Sequence, residues 1–242
     1  MNLLVVSDLH LNPETSDRNK KFVHFLEYVQ TSGDRLLILG DLFDLWFGWK
    51  QLQFEFQADI INRMNNLAEM GLHIDYVEGN RDFGIGFLER RPFQKVFSKR
   101  MELHWGDRII AAEHGDLINR ADRQYRAFRK LTKNAMSYFL ISHLPASWLL
   151  AFSIRLEKSL KNTNQTYRVS YPEDYCKEFR EEAFRRGADI VLAGHFHQER
   201  TVKEQLNSRR VMFYNLPGWE SGFRYLVIPQ DREEPYFADF EV

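Results

Sequence analysis

Cysteine is nearly absent from this sequence, which has only Cys176 among its 242 residues. A single thiol excludes an intrachain disulfide and is typical of a reducing compartment. Residues 1–6 resemble a strand and lack the basic segment and long apolar run of a signal peptide. A membrane span needs roughly 20 predominantly apolar residues, whereas the apolar stretch 135–154 is interrupted by Pro145 and contains four serines. We therefore expect a cytoplasmic protein.

Net charge is also almost absent, because 33 Lys and Arg residues nearly balance 34 Asp and Glu residues, leaving −1. Without a global positive field we expect no nucleic-acid partner, and no feature indicates an obligate protein partner. The charge is nevertheless uneven, since no acidic residue lies between Asp122 and Glu157. The basic residues of this stretch, which would attract an anion, are Arg123, Arg126, Arg129, Lys130, Lys133 and Arg155.

Apolar periodicity predicts alternating strands and helices, and so an α/β fold in a single domain over residues 1–242. Helices are predicted at 17–30, 54–70 and 172–186, and strands at 3–7, 35–39, 72–77 and 188–193. Residues 101–104 and 108–113 are predicted to form a hairpin. Strands at 200–203, 209–215, 224–228 and 235–242 are predicted to form a second sheet layer. A helical insertion interrupts the alternation at about residues 119–170.

Side chains that can bind metal ions follow the ends of the predicted strands. The candidates are Asp8, His10, Asp41, Asn80, His114, His195 and His197. In open α/β sheets ligands gather at the carboxyl ends of the strands, so we expect these side chains to meet. In extended geometry, Asp-x-His and His-x-His would each place both side chains on one side. Each motif also has a structural explanation, such as a helix-capping Asp beside a surface His, or a β-turn at Gly79-Asn80.

The chemistry of this set indicates a pair of metal ions. Carboxylate, amide and imidazole ligands without thiolate favour Mn²⁺, Fe²⁺ or Zn²⁺ over Ca²⁺ or an iron–sulfur cluster. Asp41 could lend one oxygen to each of two cations, which would then lie about 3.5–4 Å apart and activate water for attack on phosphorus. Arg81 adds a permanently charged fork that matches phosphate oxygens.

The motifs Asp-x-His, Gly-Asp, Gly-Asn, His-Gly and Gly-His-x-His, in this order from Asp8 to His197, resemble those of the calcineurin-like metallophosphoesterases. The resemblance implies a four-layer α/β/β/α sandwich with two divalent cations. It assigns one cation to Asp8, His10, Asp41 and His197, and the other to Asp41, Asn80, His114 and His195. Many members carry His where this chain has Arg81. The implied catalytic residues are Asn80, Arg81 and His114.

Within that family, Gly79-Asn80-Arg81-Asp82-Phe83 and the helical insertion are similar to those of the UDP-2,3-diacylglucosamine diphosphatases of lipid A biosynthesis. This similarity implies Mn²⁺-dependent cleavage of the pyrophosphate, with attack on the α-phosphorus giving UMP and an acylated sugar 1-phosphate. The implied substrate contacts are Asn80, Arg81, Asp122, Tyr125, Phe128 and Arg129. Two alternatives stay open: a phosphoesterase of the same fold with another phosphodiester or nucleotide substrate, and a noncatalytic scaffold, although no ligand is lost.

The insertion combines basic residues with the apolar stretch 135–154. Apolar helices with basic flanks are typical of segments that bind an anionic lipid surface or acyl chains. The same apolar residues could instead pack against the phosphoesterase core. The first interpretation predicts peripheral association with the inner face of the cytoplasmic membrane.

Overall fold

Six α-helices and one 3-10 turn occur in the part of the chain that the computed structural model describes, which is residues 1–32, 34–88, 92–145, 148, 171–231 and 233–241. The helices are α1 (Ser16–Ser32), α2 (Glu55–Glu69), α3 (Ile85–Leu88), α4 (Arg123–Thr132), α5 (Ala135–Ser142) and α6 (Glu173–Arg185), and the 3-10 turn is Lys50–Leu52. The three helices predicted outside the insertion correspond to α1, α2 and α6. Their ends lie within two residues of the predicted ones.

Thirteen strands are present in the same described residues. They are β1 (Asn2–Val6), β2 (Arg35–Ile38), β3 (Trp46–Phe47), β4 (His73–Val77), β5 (Asp82–Phe83), β6 (Lys95–Phe97), β7 (Arg100–Trp105), β8 (Arg108–Glu113), β9 (Ile190–Ala193), β10 (Arg200–Leu206), β11 (Arg209–Asn215), β12 (Arg224–Pro229) and β13 (Tyr236–Asp239). The larger sheet has the order β13-β12-β1-β2-β4-β6, in which β1, β2, β4 and β6 are parallel. The other large sheet has the order β10-β11-β9-β8-β7, and β3 pairs with β5.

The predicted hairpin is confirmed, because β7 and β8 are antiparallel neighbours in the five-stranded sheet. The prediction for the four C-terminal strands was wrong in part. Only β10 and β11 join the second sheet, whereas β12 pairs antiparallel with β1 and carries β13 at the edge of the first. In β12, Val227 faces the helices while Leu226 and Ile228 face the second sheet. A strand that is apolar on both faces can lie inside either covered sheet, and its antiparallel pairing with β1 places β12 in the first.

Alternating side chains of the central strands separate the molecule into four layers. Leu3 and Val5 point into the core between the two sheets, where they meet Ile190 and Leu192. Their neighbours Leu4 and Val6 point outward to α1 and α2. On the far side of the second sheet, Val191, Phe213 and Ala111 pack against α6 residues Cys176, Ala183 and Phe184. The expected α/β/β/α order is therefore confirmed.

The helices α4 and α5, which fall within the predicted insertion, attach to the core through an aromatic cluster. Tyr138 of α5 packs on Trp49 with ring centroids 5.7 Å apart, and Phe83 belongs to the same cluster. Phe128 and Ile141 are partly buried against it. The rest of the predicted insertion, at 146–147 and 149–170, lies outside the described residues.

Cys176 gives a chemical test of the α6 interface. Its thiol is fully buried, and burial raises its pKa to about 11. Because an ordinary cysteine has a pKa of about 8.5, the thiolate at pH 8 should be about 100-fold rarer in the native protein. We expect maleimide to label the native chain at least about 100-fold more slowly than the guanidinium-unfolded chain, as followed by mass spectrometry. Equal rates in both states would contradict the packing of α6.

Candidate metal centre

The seven candidate ligands follow strands from both sheets at one edge of the sandwich. Asp8 and His10 follow β1, Asp41 follows β2, and Asn80 follows β4 in the first sheet. His114 follows β8, and His195 and His197 follow β9, in the second sheet. The parallel pairs β1–β2 and β8–β9 direct their carboxyl ends to the same side. The two sheets thus bring all these loops together, as the strand-end positions predict.

Five of the seven have left-handed backbone conformations, which non-glycine residues rarely adopt. Their φ angles are 53° for Asp8, 47° for His10, 53° for Asp41, 68° for His195 and 53° for His197. The extended geometry predicted for Asp-x-His and His-x-His is therefore wrong. The chain instead turns sharply after each strand and is held there by backbone contacts, such as the hydrogen bond from Asp8 N to Gly40 O (3.2 Å). Such strain costs about 1–3 kcal/mol per residue and is concentrated at functional sites.

The turns bring the side chains into two adjoining groups. In the first, His197 Nε2 lies 3.3 Å from His10 Nε2 and 3.4 Å from Asp8 Oδ1. In the second, Asn80 Oδ1 lies 3.0 Å from His114 Nε2 and 2.9 Å from His195 Nδ1. The two histidines of the His-x-His motif thus belong to different groups.

Asp41 lies between the two groups. Its Oδ2 is 3.9 Å from His10 Nε2 and 3.7 Å from His114 Nε2. Within the described residues, two sets of side chains could each hold a metal ion: Asp8, His10 and His197, and Asp8, Asp41 and His114. Both carboxylates are almost completely buried, so that any cation held here would be shielded from solvent.

The donor atoms are arranged better for binding a divalent cation than for hydrogen-bonding with one another. Asp8 Oδ1 is buried without a hydrogen-bond partner among the described residues, although imidazole nitrogens of His197, His10 and His114 lie 3.4, 3.9 and 3.9 Å away. Burial alone would raise the pKa of Asp8, but the fields of His197, His114 and His10 together lower it. A charged carboxylate oxygen beside three imidazoles is the ligand set of a transition-metal ion.

His195 is also in a protonation state that suits a metal ligand. Burial and the nearby His114 lower the pKa of His195 to about 4, so its imidazole is neutral near pH 7. His114 Nδ1 lies 2.6 Å from the carbonyl oxygen of Leu39, to which it must donate a proton. Burial lowers the pKa of His114, but Asp41, Asp8 and Asp116 together raise it. The hydrogen bond at Nδ1 leaves Nε2, the other ring nitrogen, facing Asp41 and Asn80, where it could bind a cation after losing its proton.

Comparisons with known proteins agree with this geometry. The family model for calcineurin-like phosphoesterases matches residues 1–199. This chain belongs to the calcineurin-like phosphoesterase family. It is accordingly a hydrolase, as the sequence predicted.

Similar proteins include several that are named UDP-2,3-diacylglucosamine hydrolase. The protein of that name from Stutzerimonas stutzeri strain A1501 is 33% identical over 68% of this chain and 67% of its own length. Those from Tolumonas auensis and Shewanella piezotolerans are each 28% identical, over 96% and 97% of this chain and 95% and 97% of their own lengths.

Asp82 organises the centre of this phosphoesterase, and the sequence motif that contains it gave it no role. Its Oδ2 accepts hydrogen bonds from Asp41 N (3.0 Å), Gly79 N (2.7 Å) and the buried Tyr76 hydroxyl (2.8 Å). Burial and the charge of Asp41 raise the pKa of Asp82 to about 6, although Lys133 partly opposes this shift. A carboxylate three residues after a strand-end glycine is typical of a side chain that closes a turn, and this signal could have identified it.

Two carboxylates orient the imidazoles of the first group. Asp44 Oδ1 lies 3.4 Å from His10 Nδ1, and Glu220 Oε1 lies 3.6 Å from His197 Nδ1. Arg18 links Glu220 to the His10 loop, because it contacts Glu220 Oε2 at 3.3 Å and the His10 carbonyl oxygen at 3.2 Å. Carboxylates in this position fix ring orientation and make a ligating imidazole more basic. Glu220 lies far along the chain in a loop without a recognisable motif, so the sequence did not identify it.

The residues predicted to contact substrate have structural partners as well. Asp122 caps α4 by accepting a hydrogen bond from Tyr125 N at 2.8 Å. The Tyr125 hydroxyl and Arg129 both donate to Asp116, Arg129 at 2.6 Å. Phe128 packs into the aromatic cluster. Contact of these four with a substrate stays a prediction.

Arg81, by contrast, lies at the centre itself. Its backbone N donates to Asp41 Oδ1 at 2.8 Å, and the residue is buried. The pKa of Asp44 is lowered although burial opposes this, mainly by His10 and Asn12 and also by the charge of Arg81. The Arg81 guanidinium therefore contributes positive charge on the His10 side of the centre.

Gly79 gives a steric test of the centre, because a Cβ at this position would lie 2.2 Å from Asp41 Oδ1. We expect Gly79→Ala to displace Asp41, to lower Mn²⁺ affinity at least tenfold and to cost about 1–3 kcal/mol of unfolding free energy. Titration calorimetry and chemical denaturation measure the two effects. The control is Gly187→Ala, where a Cβ meets nothing within 4 Å but the φ of +105° strains an alanine, so this variant should lose stability and keep its Mn²⁺ affinity. Unchanged Mn²⁺ affinity in Gly79→Ala would contradict the placement of Asp41.

Proposed function

We propose that this chain hydrolyses the pyrophosphate bond of UDP-2,3-diacylglucosamine, giving UMP and 2,3-diacylglucosamine 1-phosphate. The proposal rests chiefly on the convergence of buried carboxylates and imidazoles around Asp8 and Asp41. Relatives named UDP-2,3-diacylglucosamine hydrolase that match nearly the whole chain support the choice of substrate.

The family resemblance assigns the ligands in this proposal, and the two groups of side chains support the assignment. One cation would be held by Asp8, His10, Asp41 and His197, and the other by Asp41, Asn80, His114 and His195. The position of Asp41 Oδ2, under 4 Å from both His10 and His114, supports its role as the shared ligand. Ligands of oxygen and imidazole nitrogen, without thiolate, are compatible with Mn²⁺, the cation that we propose. When bound, two such cations stabilise negative charge on phosphoryl oxygens and lower the pKa of water.

The protein's own residues position the reacting phosphate. Arg81 is held beside Asp41 by its backbone, so its guanidinium can form charge-assisted hydrogen bonds to the pyrophosphate. Asn80 approaches the same region from the neighbouring position, where its side-chain oxygen faces His114 and His195. Since these groups are fixed before substrate arrives, little reorganisation is needed when charge develops during hydrolysis.

A direct comparison of substrates tests the proposal. Purified protein with Mn²⁺ is offered UDP-2,3-diacylglucosamine and, separately, the soluble phosphodiester bis-p-nitrophenyl phosphate. Release of UMP from the first supports the proposed function. Activity on only the second would favour a phosphoesterase with another substrate, and inactivity on both would favour a noncatalytic scaffold.

Removing single ligands tests the mechanism. We expect Asp41→Ala and His114→Ala each to reduce hydrolysis to below about 1% of wild type, because metal ions supply several kcal/mol of charge stabilisation. Both variants should keep the native circular dichroism spectrum. The controls Asp59→Ala and His24→Ala change exposed residues of the same types on α2 and α1 and should keep full activity. Undiminished Mn²⁺-dependent turnover in both ligand variants would contradict the metal centre.

We further propose that the insertion contacts an anionic membrane surface through an apolar face. This face consists of Leu131, Met136, Phe139, Leu140, Leu144 and Trp148, which are between 46% and 72% exposed. The insertion is also rich in basic residues, which would attract anionic headgroups. Tyr138 and Ile141 of α5 face inward to the aromatic cluster. The apolar stretch can therefore pack on the core with one face and contact lipid with the opposite face. No helix among the described residues has the length and apolarity that crossing a membrane requires.

Two methionines provide a matched test of the apolar face. Met136 on α5 is 68% exposed and Met70 at the end of α2 is 67% exposed. We expect Met136→Glu to weaken sedimentation with phosphatidylglycerol vesicles at low salt about tenfold, because burial of one such side chain contributes about 1.5–3 kcal/mol. Met70→Glu introduces the same charge elsewhere and should bind like wild type. Equal effects of the two substitutions, or none, would contradict the apolar face.

A further inference from the structure

A second concave site of about 890 Å³ lies between α4 and the loops that flank β6. Five basic side chains and one acidic side chain line it, and they are Lys99, Arg126, Arg129, Lys130, Lys133 and Glu78. We call this site the basic cleft. None of the described residues that line it is a candidate metal ligand, although Arg129 is also a predicted substrate contact, so the cleft adjoins the metal centre without containing its ligands.

Helical geometry explains why so many cations face one space. A spacing of three or four residues places side chains on one side of a helix. The basic residues at this spacing, on α4 and at the residue that caps its C-terminus, are Arg126, Arg129, Lys130 and Lys133. Lys99, at the start of the β6–β7 connection, faces them from the opposite wall. Like charges at this spacing destabilise a helix slightly unless an anion or a carboxylate offsets them.

Only part of this charge is offset by the protein. Arg129 donates to Asp116 Oδ2 at 2.6 Å and to the Ser98 carbonyl oxygen at 2.6 Å, and the Lys133 ammonium donates to the Gly79 carbonyl oxygen. Among the described residues, Arg126 donates a hydrogen bond to the carbonyl oxygen of Leu117 at 3.0 Å and pairs with no carboxylate.

Lys99 and Lys130 form no ion pair with any carboxylate in the part of the chain that the structure describes. Glu78 is the single carboxylate among the described lining residues, and its Oε1 accepts a hydrogen bond from Gly86 N at 3.0 Å. Burial and, to a smaller extent, the neighbouring Arg129 lower the pKa of Lys133. The exposed Lys99, Arg126 and Lys130 thus have no carboxylate partner among the described residues and are available to an anion.

We propose that the basic cleft binds a soluble phosphate-bearing anion of nucleotide size that carries two or more negative charges. The charge excess at Lys99, Arg126 and Lys130 matches a diphosphate group, and charge-assisted hydrogen bonds would hold its oxygens. The volume falls within the range of small-molecule sites, about 300–1,000 Å³. Val96 and Tyr138 give apolar walls on which the organic part of such a ligand could rest.

The experiment uses the full chain freed of metal with EDTA, so that the metal centre does not compete for the anion. Inorganic pyrophosphate is titrated into the protein by calorimetry. We expect binding, and we expect Lys99→Gln/Lys130→Gln to weaken it at least tenfold. The control Lys20→Gln/Lys50→Gln removes the same charge from two exposed positions outside the cleft and should bind like wild type. Equal thermal stability of the two double variants establishes that folding is not the cause.

Lysine acetylation followed by mass spectrometry locates the bound anion. Pyrophosphate should protect Lys99 and Lys130 from acetylation, while Lys20 and Lys50 stay reactive. Absence of binding, or equal weakening by both double variants, would overturn the proposal. A cleft that serves lipid headgroups would instead bind phosphatidylglycerol vesicles through Lys99 and Lys130 without binding pyrophosphate, and that result would also overturn it. None of these outcomes depends on hydrolysis of the proposed substrate.

Discussion

The sharp left-handed turns at the carboxyl ends of β1, β2 and β9 are the constraint on which the centre depends. They direct Asp8, Asp41 and His195 inward just where the sheets end. The turns can form only because glycine, which has no Cβ, allows the backbones of neighbouring loops to approach closely. A Cβ on Gly40 would lie 2.6 Å from Gly79 N, and one on Gly194 would lie 1.9 Å from Ser7 Oγ. The loops of the two sheets therefore meet at distances that only glycine allows.

Burial of two carboxylates would ordinarily oppose folding, because each charge costs several kcal/mol to remove from water. Part of this cost is offset by donors that the turns supply. Asp8 Oδ2 accepts hydrogen bonds from Ser7 Oγ at 2.5 Å and His195 N at 2.8 Å, and Asp41 Oδ1 accepts one from Arg81 N at 2.8 Å. The opposite oxygens, Asp8 Oδ1 and Asp41 Oδ2, face the imidazoles instead. Each carboxylate thus accepts hydrogen bonds from the protein at one oxygen and leaves the other available to a metal ion. Ligating carboxylates are typically hydrogen-bonded in this way.

The sequence predicted the seven candidate ligands as a convergent set because each follows a strand whose apolar pattern is clear. It could not predict the local geometry. An extended segment at Asp8-Leu9-His10 and the observed left-handed turns both have the same residues in the same order after β1, so the sequence pattern fits either. The sheet assignment of β12 was wrong because a strand apolar on both faces fits either sheet, and only its pairing with β1 decides. Glu220 and Asp44 were missed because their roles depend on distance in space rather than on a motif. Their contacts with His197 and His10 exist only in the folded chain.

The two halves of the centre are supported by different parts of the fold. Asp44 contacts His10, and Glu220, which pairs with Arg18, contacts His197. These three supporting residues all belong to loops or helices of the sandwich itself. The other half depends on the insertion, because Arg129 holds Asp116, two residues after His114.

Lys133 adds a second contact to that half, since it donates to the carbonyl oxygen of Gly79, the residue before Asn80. The inner side of α4 and the residue that follows it therefore contact the loops that carry His114 and Asn80. Any shift of α4 would alter Arg129 and Lys133 together, and their backbone and carboxylate partners would transmit it to the second group of ligands. The first group has no such contact with α4 among the described residues. Within the part of the chain that the structure describes, the position of α4 is thus linked to the half of the centre that contains Asn80 and His114.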